Sequence, residues 1–529
     1  MEPKSLLNLE FEKVLRLIAG FAGSKAAKDR ISQIFPSTDA RFIDQQLSEL
    51  DELVACLDGG FHVPVTGIRE MRDLLEILQK GEETLAGEDL LRVRADIEVA
   101  KSLRKALADA RNIPRLSEKL QYMPDLSQVG QTIVNCISEQ GEVRDDASPR
   151  LISIRRELVK SRQDIERRLN DLLGGNSECF QDRFFTIRND RYVVPVKASF
   201  QGQIQGIVHD QSGSGQTVFV EPLEFLPLNN RLARLKAEDR EEVKRILQEI
   251  SSLLTAHLED LKETFETLVF FDVLHAKARF ARHYSANRPE VVRRGTLVLK
   301  NARHPLLHPG CVPLDLTMNP QNACLIITGP NGGGKTVAMK IAGTSSLLMQ
   351  SGCYVLANVN SQIPVFDQIL ADIGETQSLE DHLSTFTSHI RRLNEVLALA
   401  SDSSLVLIDE IGVGTDPVEG AALAISVLRS LVRRGAFSMV TSHYDSLKQA
   451  AFTTPGFANA AMEFDETTNR PTFRFIQGIS GRSNALSISR MFGLPEEVLA
   501  EMSRLLEGKG GPEKDLIEAL ERERSRRSE

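Results

Sequence analysis

The string Gly329-Pro330-Asn331-Gly332-Gly333-Gly334-Lys335-Thr336 sets a lysine and a hydroxyl residue behind a glycine-rich loop, directly after the apolar run Leu325-Ile326-Ile327. Glycines let successive backbone N–H groups turn inward around phosphate oxygens, at a helix start whose dipole favours anions. In such a loop Lys335 reaches the β- and γ-phosphates of a nucleotide and the Thr336 hydroxyl ligates Mg²⁺. Further along, Leu405-Val406-Leu407-Ile408 ends in Asp409-Glu410. A buried strand ending in Asp at the phosphate side holds the Mg²⁺ shell, and the adjacent Glu orients or deprotonates water. That pair favours hydrolysis over transfer to a second substrate. Thr441-Ser442-His443 closes the next apolar run, and His443 at its carboxyl end could contact the γ-phosphate; a core or turn histidine is the alternative.

The elements that must hold these residues are apolar runs alternating with helices from about residue 295: CLIIT, YVLA, SLVLID and AFSMVTS. They read as strands of a buried sheet with helices on its faces. Earlier, the chain is amphipathic helix. RFIDQQLSELDELVACL aligns Phe42, Ile43, Leu47, Leu50, Val54 and Leu57, with Thr38 or Asp39 as cap and Gly59-Gly60 as stop. GEDLLRVRADIEVAKSLRKAL aligns Leu90, Val93, Ile97, Ala100 and Leu107. Ser148-Pro149 opens a longer helix with Leu151, Ile154, Leu158, Ile165, Leu169 and Leu172 at heptad-like spacing. A second long helix begins after Pro227 and runs on through FARH without a proline. Between the two, FFTIRNDRYVVPVKA and GQIQGIVHDQSGSGQTVFVEP read as strands around a tight turn at Asn189-Asp190.

The fold class expected is therefore mixed: an all-α core (1–147), long lever helices (148–290) with a β-rich clamp inserted at about 176–222, an α/β P-loop domain (291–507), and the start of a charged helix or coiled coil (508–529). The chain has 529 residues, 64 Lys and Arg against 73 Asp and Glu, and a net charge of −9. No apolar run approaches the roughly 20 residues of a membrane span. The opening MEPKSLLNLEFEKVL is neither a signal nor a transit peptide, so a cytoplasmic protein is expected. Six cysteines without a CxxC pair speak against zinc sites and a disulfide framework. The acidic balance leans away from a nucleic-acid coat protein, but the arm and insert gather basic residues, among them Arg183, Arg188, Arg191 and Lys197. Those charges fit either a solvated helix face or a surface for a nucleic-acid backbone.

FFDVLHAKARFA, ARHPLL, ITGPNGGGKT, LSTFTSH, DEIGVGTDPVEG and TSHYDSL, in this order along the chain, resemble the motifs of the MutS family of ABC-type ATPases. GKTV, GTDPVEGAALA and IVHDQSGSGQTVFVEP are similar to its bacterial MutS-two branch, whereas Phe219-Val220-Glu221 reads as a strand end and not as the mismatch wedge. The resemblance implies that Gly329 to Thr336 bind ATP and Mg²⁺, that Asp409 holds the Mg²⁺ shell, that Glu410 positions water and that His443 senses the γ-phosphate. It implies that Ser384 reaches the γ-phosphate of the other subunit in a homodimer, and it places Gln377 at a switch position. Val312 stands where the family often has an aromatic residue against adenine, which implies a looser base pocket. The function implied is a DNA clamp acting on branched or recombination-intermediate DNA and suppressing recombination. A ribosome- or rRNA-directed ATPase in collided-ribosome rescue, and a non-catalytic scaffold gated by ATP, are the alternatives. Full-length members carry an Smr nuclease domain after a coiled coil; this chain ends where that coiled coil would begin, so no nuclease is expected in it.

Overall fold

The computed structural model describes residues 1–507 except 82–83, 109, 111, 176–178, 181–183, 331, 375–384, 466–467, 469, 480–488 and 490–492. The chain forms two compact units of mixed α/β structure: Met1–Val63 with Asp109–Glu118 and Phe270–Glu529, and Pro64–Ala108 with Lys119–Val269.

The first unit is built on a six-stranded sheet in the order Gln368–Asp372, Ser404–Ile408, Phe437–Thr441, Cys324–Thr328, Phe457–Asp465, Arg470–Gln477. All neighbours are parallel except the last pair. Every residue of Cys324–Thr328, Ser404–Ile408 and Phe437–Thr441 is buried, which is why these segments read as unbroken apolar runs. Helices Lys335–Gln350, Thr385–Leu399, Pro417–Arg433 and Asp445–Thr453 follow successive strands. Val406, Ile408, Val440, Ala424, Leu428 and Leu431 meet in the core between sheet and helix. A separate four-stranded sheet contains Glu290–Val292, Gln362–Pro364, Leu297–Ala302 and Leu314–Met318 in that order.

The division by contact departs from the boundaries expected at 147 and 291, because the first 63 residues belong with the large sheet. Edge chemistry explains it. Gln368–Asp372 is an edge strand, and the outward N–H and C=O of Ala371 need partners. The Ala371 N–H donates to Ser5 Oγ at 2.9 Å, and its carbonyl accepts from Asn8 Nδ2 at 2.9 Å and from Arg392 Nη2 at 3.1 Å. Glu2 in turn accepts from Arg392 Nη2 at 2.7 Å. Further along, the buried Asp272 carboxylate accepts from Gly23 N, Ser24 N and Ser24 Oγ at 2.9, 2.7 and 2.6 Å.

YVLA is not a strand. Val355 makes only an isolated bridge with Asn287, while the neighbouring Tyr354 hydroxyl is drawn to Asp51 on the helix Ala40–Asp58. That helix has Asp39 as its cap, accepting from Arg41 N at 2.9 Å. It buries Ile43, Leu47, Leu50, Leu53 and Cys56, while Phe42 from the expected face is exposed.

In the second unit, helices Pro149–Gly175 and Leu226–Ala256 flank a four-stranded antiparallel insert, ordered Thr186–Arg188, Arg191–Lys197, Thr217–Pro222, Gly206–Gln211. Asn189 and Asp190 have φ of 48° and 62°, the paired left-handed residues of a two-residue hairpin turn. Ile154, Leu158, Ile165 and Leu169 pack with Val194, Val196, Val218, Val220, Leu232 and Leu235 into one core. Ser148 caps the first helix, its Oγ accepting from Leu151 N at 3.0 Å. The second long helix ends at Ala256 and a new one runs Leu258–Tyr284, a correction to the unbroken helix expected. No proline is needed for the break: Glu259 and Asp260 give the new helix an acidic first turn, and His257 Nδ1 lies 2.9 Å from Asp260 Oδ2.

Helix Gly87–Ala108 buries an acid, Asp96, which is 2% exposed. One of its oxygens accepts from Arg69 N at 2.6 Å and the other has no hydrogen-bond partner among the described residues. Burial pushes its pKa up to about 7. A carboxyl raised on folding keeps a proton that the unfolded chain has lost, so this group weakens the fold as pH rises from about 4 to about 7. Asp96→Asn, neutral throughout, is expected to raise the melting temperature at pH 8 by roughly 4 °C or more and to change it little at about pH 4. Equal melting shifts at the two pH values would contradict that account.

Candidate functional site

The strands Cys324–Thr328, Ser404–Ile408 and Phe437–Thr441 lie side by side and in parallel, so their carboxyl ends open at one edge of the sheet. The sequence-predicted residues emerge there. After Thr328 the chain turns through Gly329, Gly332 and Gly334, with φ of 133°, 75° and 98°, the left-handed region that side chains avoid. A Cβ on Gly333 would stand 2.9 Å from the Pro330 carbonyl oxygen. The loop thus leads into the first turn of helix Lys335–Gln350, whose N–H groups have no acceptor within the helix itself.

Lys335 is buried, and its Nζ donates to the Gly329 carbonyl at 2.7 Å. Burial lowers its pKa, with Asp409 and Glu410 pulling the other way. Thr336 Oγ1 donates to Asp409 Oδ2 at 2.7 Å, joining the loop to the neighbouring acid strand across 73 residues of sequence. The other Asp409 oxygen accepts from Thr441 Oγ1 at 2.5 Å. Glu410 follows in a left-handed conformation, φ 51°, and His443 Nε2 stands 3.6 Å from its Oε1.

A cavity of 630 Å³ opens over these groups. Lys335, Thr336, Asp409 and Glu410 line its polar end, and Leu307, Val312, Leu314 and Ile341 its apolar side. The aromatic lining comes from Phe473 and Phe475, which sequence reading missed. Phe473 itself has φ 60°, unusual for a bulky residue, in the strand opposite the register shift between Met462 and Phe464. Its ring edge would lie 3.4 Å from a Cβ on Gly334. Phenylalanines at alternate positions in TFRF were the available signal.

Two further groups flank the acids. The Asp372 carbonyl accepts from Asp409 N at 2.9 Å, and His389 Nδ1 lies 3.7 Å from Asp372 Oδ2. Asp372, reinforced by Glu410, raises the His389 pKa. His389 belongs to the LSTFTSH motif but drew no role from the sequence.

Asn331, Gln377, Ser384 and Arg183 lie outside the described residues. The basic residues of the insert are largely engaged within it. Arg191 Nη1 donates to Glu221 Oε1 at 3.1 Å, because a carboxylate only 1% exposed requires a cation or donors beside it; His209 Nε2 and Asn229 Nδ2 also reach it, at 2.6 and 2.9 Å. Arg188 pairs with Asp210 at 3.1 Å and lies over the Phe219 ring, and Lys197 Nζ is 6.0 Å from the Phe200 ring centre. Arg191 is therefore held in an ion pair within the insert. Among the described residues no group of three or more His, Cys, Asp and Glu is placed to hold a metal by itself, the six cysteines are free, and no helix is long and apolar enough to cross a membrane.

A model of MutS domain V matches residues 325–508, the stretch that carries the loop, both acids and His443. Endonuclease MutS2 from Halothermothrix orenii is 38% identical over 539 residues, covering 99% of this chain and 68% of the relative. The chain belongs to the MutS2 branch of the MutS family. Endonuclease MutS2 from Thermomicrobium roseum is 40% identical, again across 99% of this chain and 68% of its own length. That from a Geobacillus species is 37% identical across 100% of this chain and 68% of its own length. The chain thus spans about two thirds of these relatives.

Proposed function

We propose that this chain is an ATP-hydrolysing, DNA-binding clamp. The observation that carries the ATPase reading is the Thr336–Asp409 hydrogen bond at 2.7 Å beneath a glycine loop. It sets two hard oxygen donors side by side where loop N–H groups and Lys335 await phosphates. The cavity volume of 630 Å³ falls in the ordinary small-ligand range of roughly 300–1,000 Å³. Thr336 and Asp409 would hold Mg²⁺, which when bound neutralises phosphate charge. In this reading Lys335 pairs with the phosphates, Glu410 orients and deprotonates water, and His443 senses the γ-phosphate, a role its 3.6 Å distance from Glu410 supports. Phe473 and Phe475 offer the face for the base that Val312 lacks.

Family membership supports DNA as the partner, and a homodimer in which Ser384 of the partner subunit completes each site follows from the signature motif. The exposed Arg156, Lys160 and Arg162 on helix Pro149–Gly175 have no ion pair among the described residues and suit a phosphate backbone better than Arg188 or Arg191. Branched or recombination-intermediate DNA is the structure we assign. ATP turnover measured with duplex DNA, four-way junctions, single strands and ribosomes as separate stimulants is expected to rise most with junctions. Stimulation by ribosomes alone would overturn the DNA assignment.

A further inference from the structure

The acids Asp409 and Glu410 meet a common neighbour that the motif does not advertise. Thr441 ends the strand beside them and is 0% exposed. Its hydroxyl donates to Asp409 Oδ1 at 2.5 Å and accepts from the Glu410 N–H at 2.8 Å. Its carbonyl accepts from Ile411 N at 3.2 Å. Three bonds around the acid turn therefore end on one residue. By contrast Ser442 Oγ accepts from Tyr444 N, and the His443 side chain is exposed by nearly half.

We propose that Thr441 is a positioning residue for both acids: its hydroxyl sets the Asp409 carboxylate toward Thr336 and holds the turn that aims Glu410 at water. Glu410 needs such a hold, because its φ of 51° is a conformation L side chains rarely keep. Asp409 needs it too. Its second oxygen accepts from Thr336, whose oxygen lone pairs would also serve the metal, and fixing the rotation of the carboxylate takes a second donor on its other oxygen. Thr441 is that second side-chain donor among the described residues. Only a β-hydroxyl can donate to one group and accept from the other at this spacing. Valine matches the shape and does neither.

The inference rests on the ATPase reading, so the test separates the two. ATP binding is titrated calorimetrically with and without Mg²⁺, and turnover is measured, for the wild type, Lys335→Ala, Thr441→Val and Thr441→Ser. Thr441→Val is expected to bind Mg²⁺-free ATP as the wild type does, to lose most of the Mg²⁺-dependent gain in affinity, and to drop about 10- to 100-fold in kcat, with KM rising in step with the lost Mg²⁺-dependent affinity. Thr441→Ser, which keeps the hydroxyl, is expected to recover most of both. Should Thr441→Val not fold, Thr441→Ala carries the same comparison. Wild-type kcat and Mg²⁺ dependence without the hydroxyl would overturn the inference, as would a Thr441→Ser variant as impaired as the valine. A wild type that shows no Lys335-dependent ATP binding would remove the ATPase reading and this inference together.

Discussion

Glu410→Gln is expected to bind ATP as the wild type does and to hydrolyse it about 100-fold or more slowly, the usual contribution of a positioned general base. Glutamine keeps the length and shape of the side chain, so the left-handed turn held by Thr441 and the Thr336–Asp409 bond should survive. What disappears is the carboxylate that takes a proton from water. The partly exposed Glu410 can reach solvent, and His443, 3.6 Å away, is not placed to substitute, since its own Nε2 faces the same carboxylate. Because the dimer closes around bound ATP in the proposed clamp, the variant should also accumulate as a closed dimer, visible as a shift in gel filtration with ATP. Rapid-quench single-turnover measurements beside a binding titration would separate the two effects. Turnover near the wild-type rate would remove Glu410 from the chemistry.

Lys335→Ala is expected to lose ATP affinity by about 30-fold or more, in line with truncating one partner of a buried charge pair. The ammonium is buried and parked on the Gly329 carbonyl at 2.7 Å, and burial already lowers its pKa. Such a cation is costly to the empty fold and repaid by phosphate. The variant should therefore melt no lower than the wild type without nucleotide, yet fail to gain stability when ATP is added. If calorimetry found unchanged affinity, the loop would not be the phosphate site. A collapse in melting temperature would instead make Lys335 a structural residue.

The chemistry of this site was legible because it is local. A loop whose backbone must enter left-handed space announces itself as glycines, and an acid at the end of a buried strand announces itself after four apolar residues. The strands themselves were legible where both faces are buried, as in CLIIT, SLVLI and FSMVT. YVLA misled because burial alone does not make a strand: Val355 finds one bridge and the segment is held by side chains from elsewhere. Partners distant in sequence were not legible. Nothing in MEPKSLLN says that Ser5 and Asn8 will satisfy Ala371, more than 360 residues on, and that contact draws the first helices into the unit of the large sheet. The pairing inside the insert was hidden for the same reason, since Arg191 meets a glutamate whose burial the sequence does not reveal. Thr441 was in view, but a hydroxyl between two acids is invisible until the strands are side by side.

The measurement that bears most directly on the whole account is ATP hydrolysis by the unmodified chain, with and without Mg²⁺ and junction DNA, using Glu410→Gln as the blank. The account predicts Mg²⁺-dependent turnover that rises with DNA and vanishes in the blank. Turnover equal in the two proteins, or none in either under saturating ATP and Mg²⁺, would contradict it.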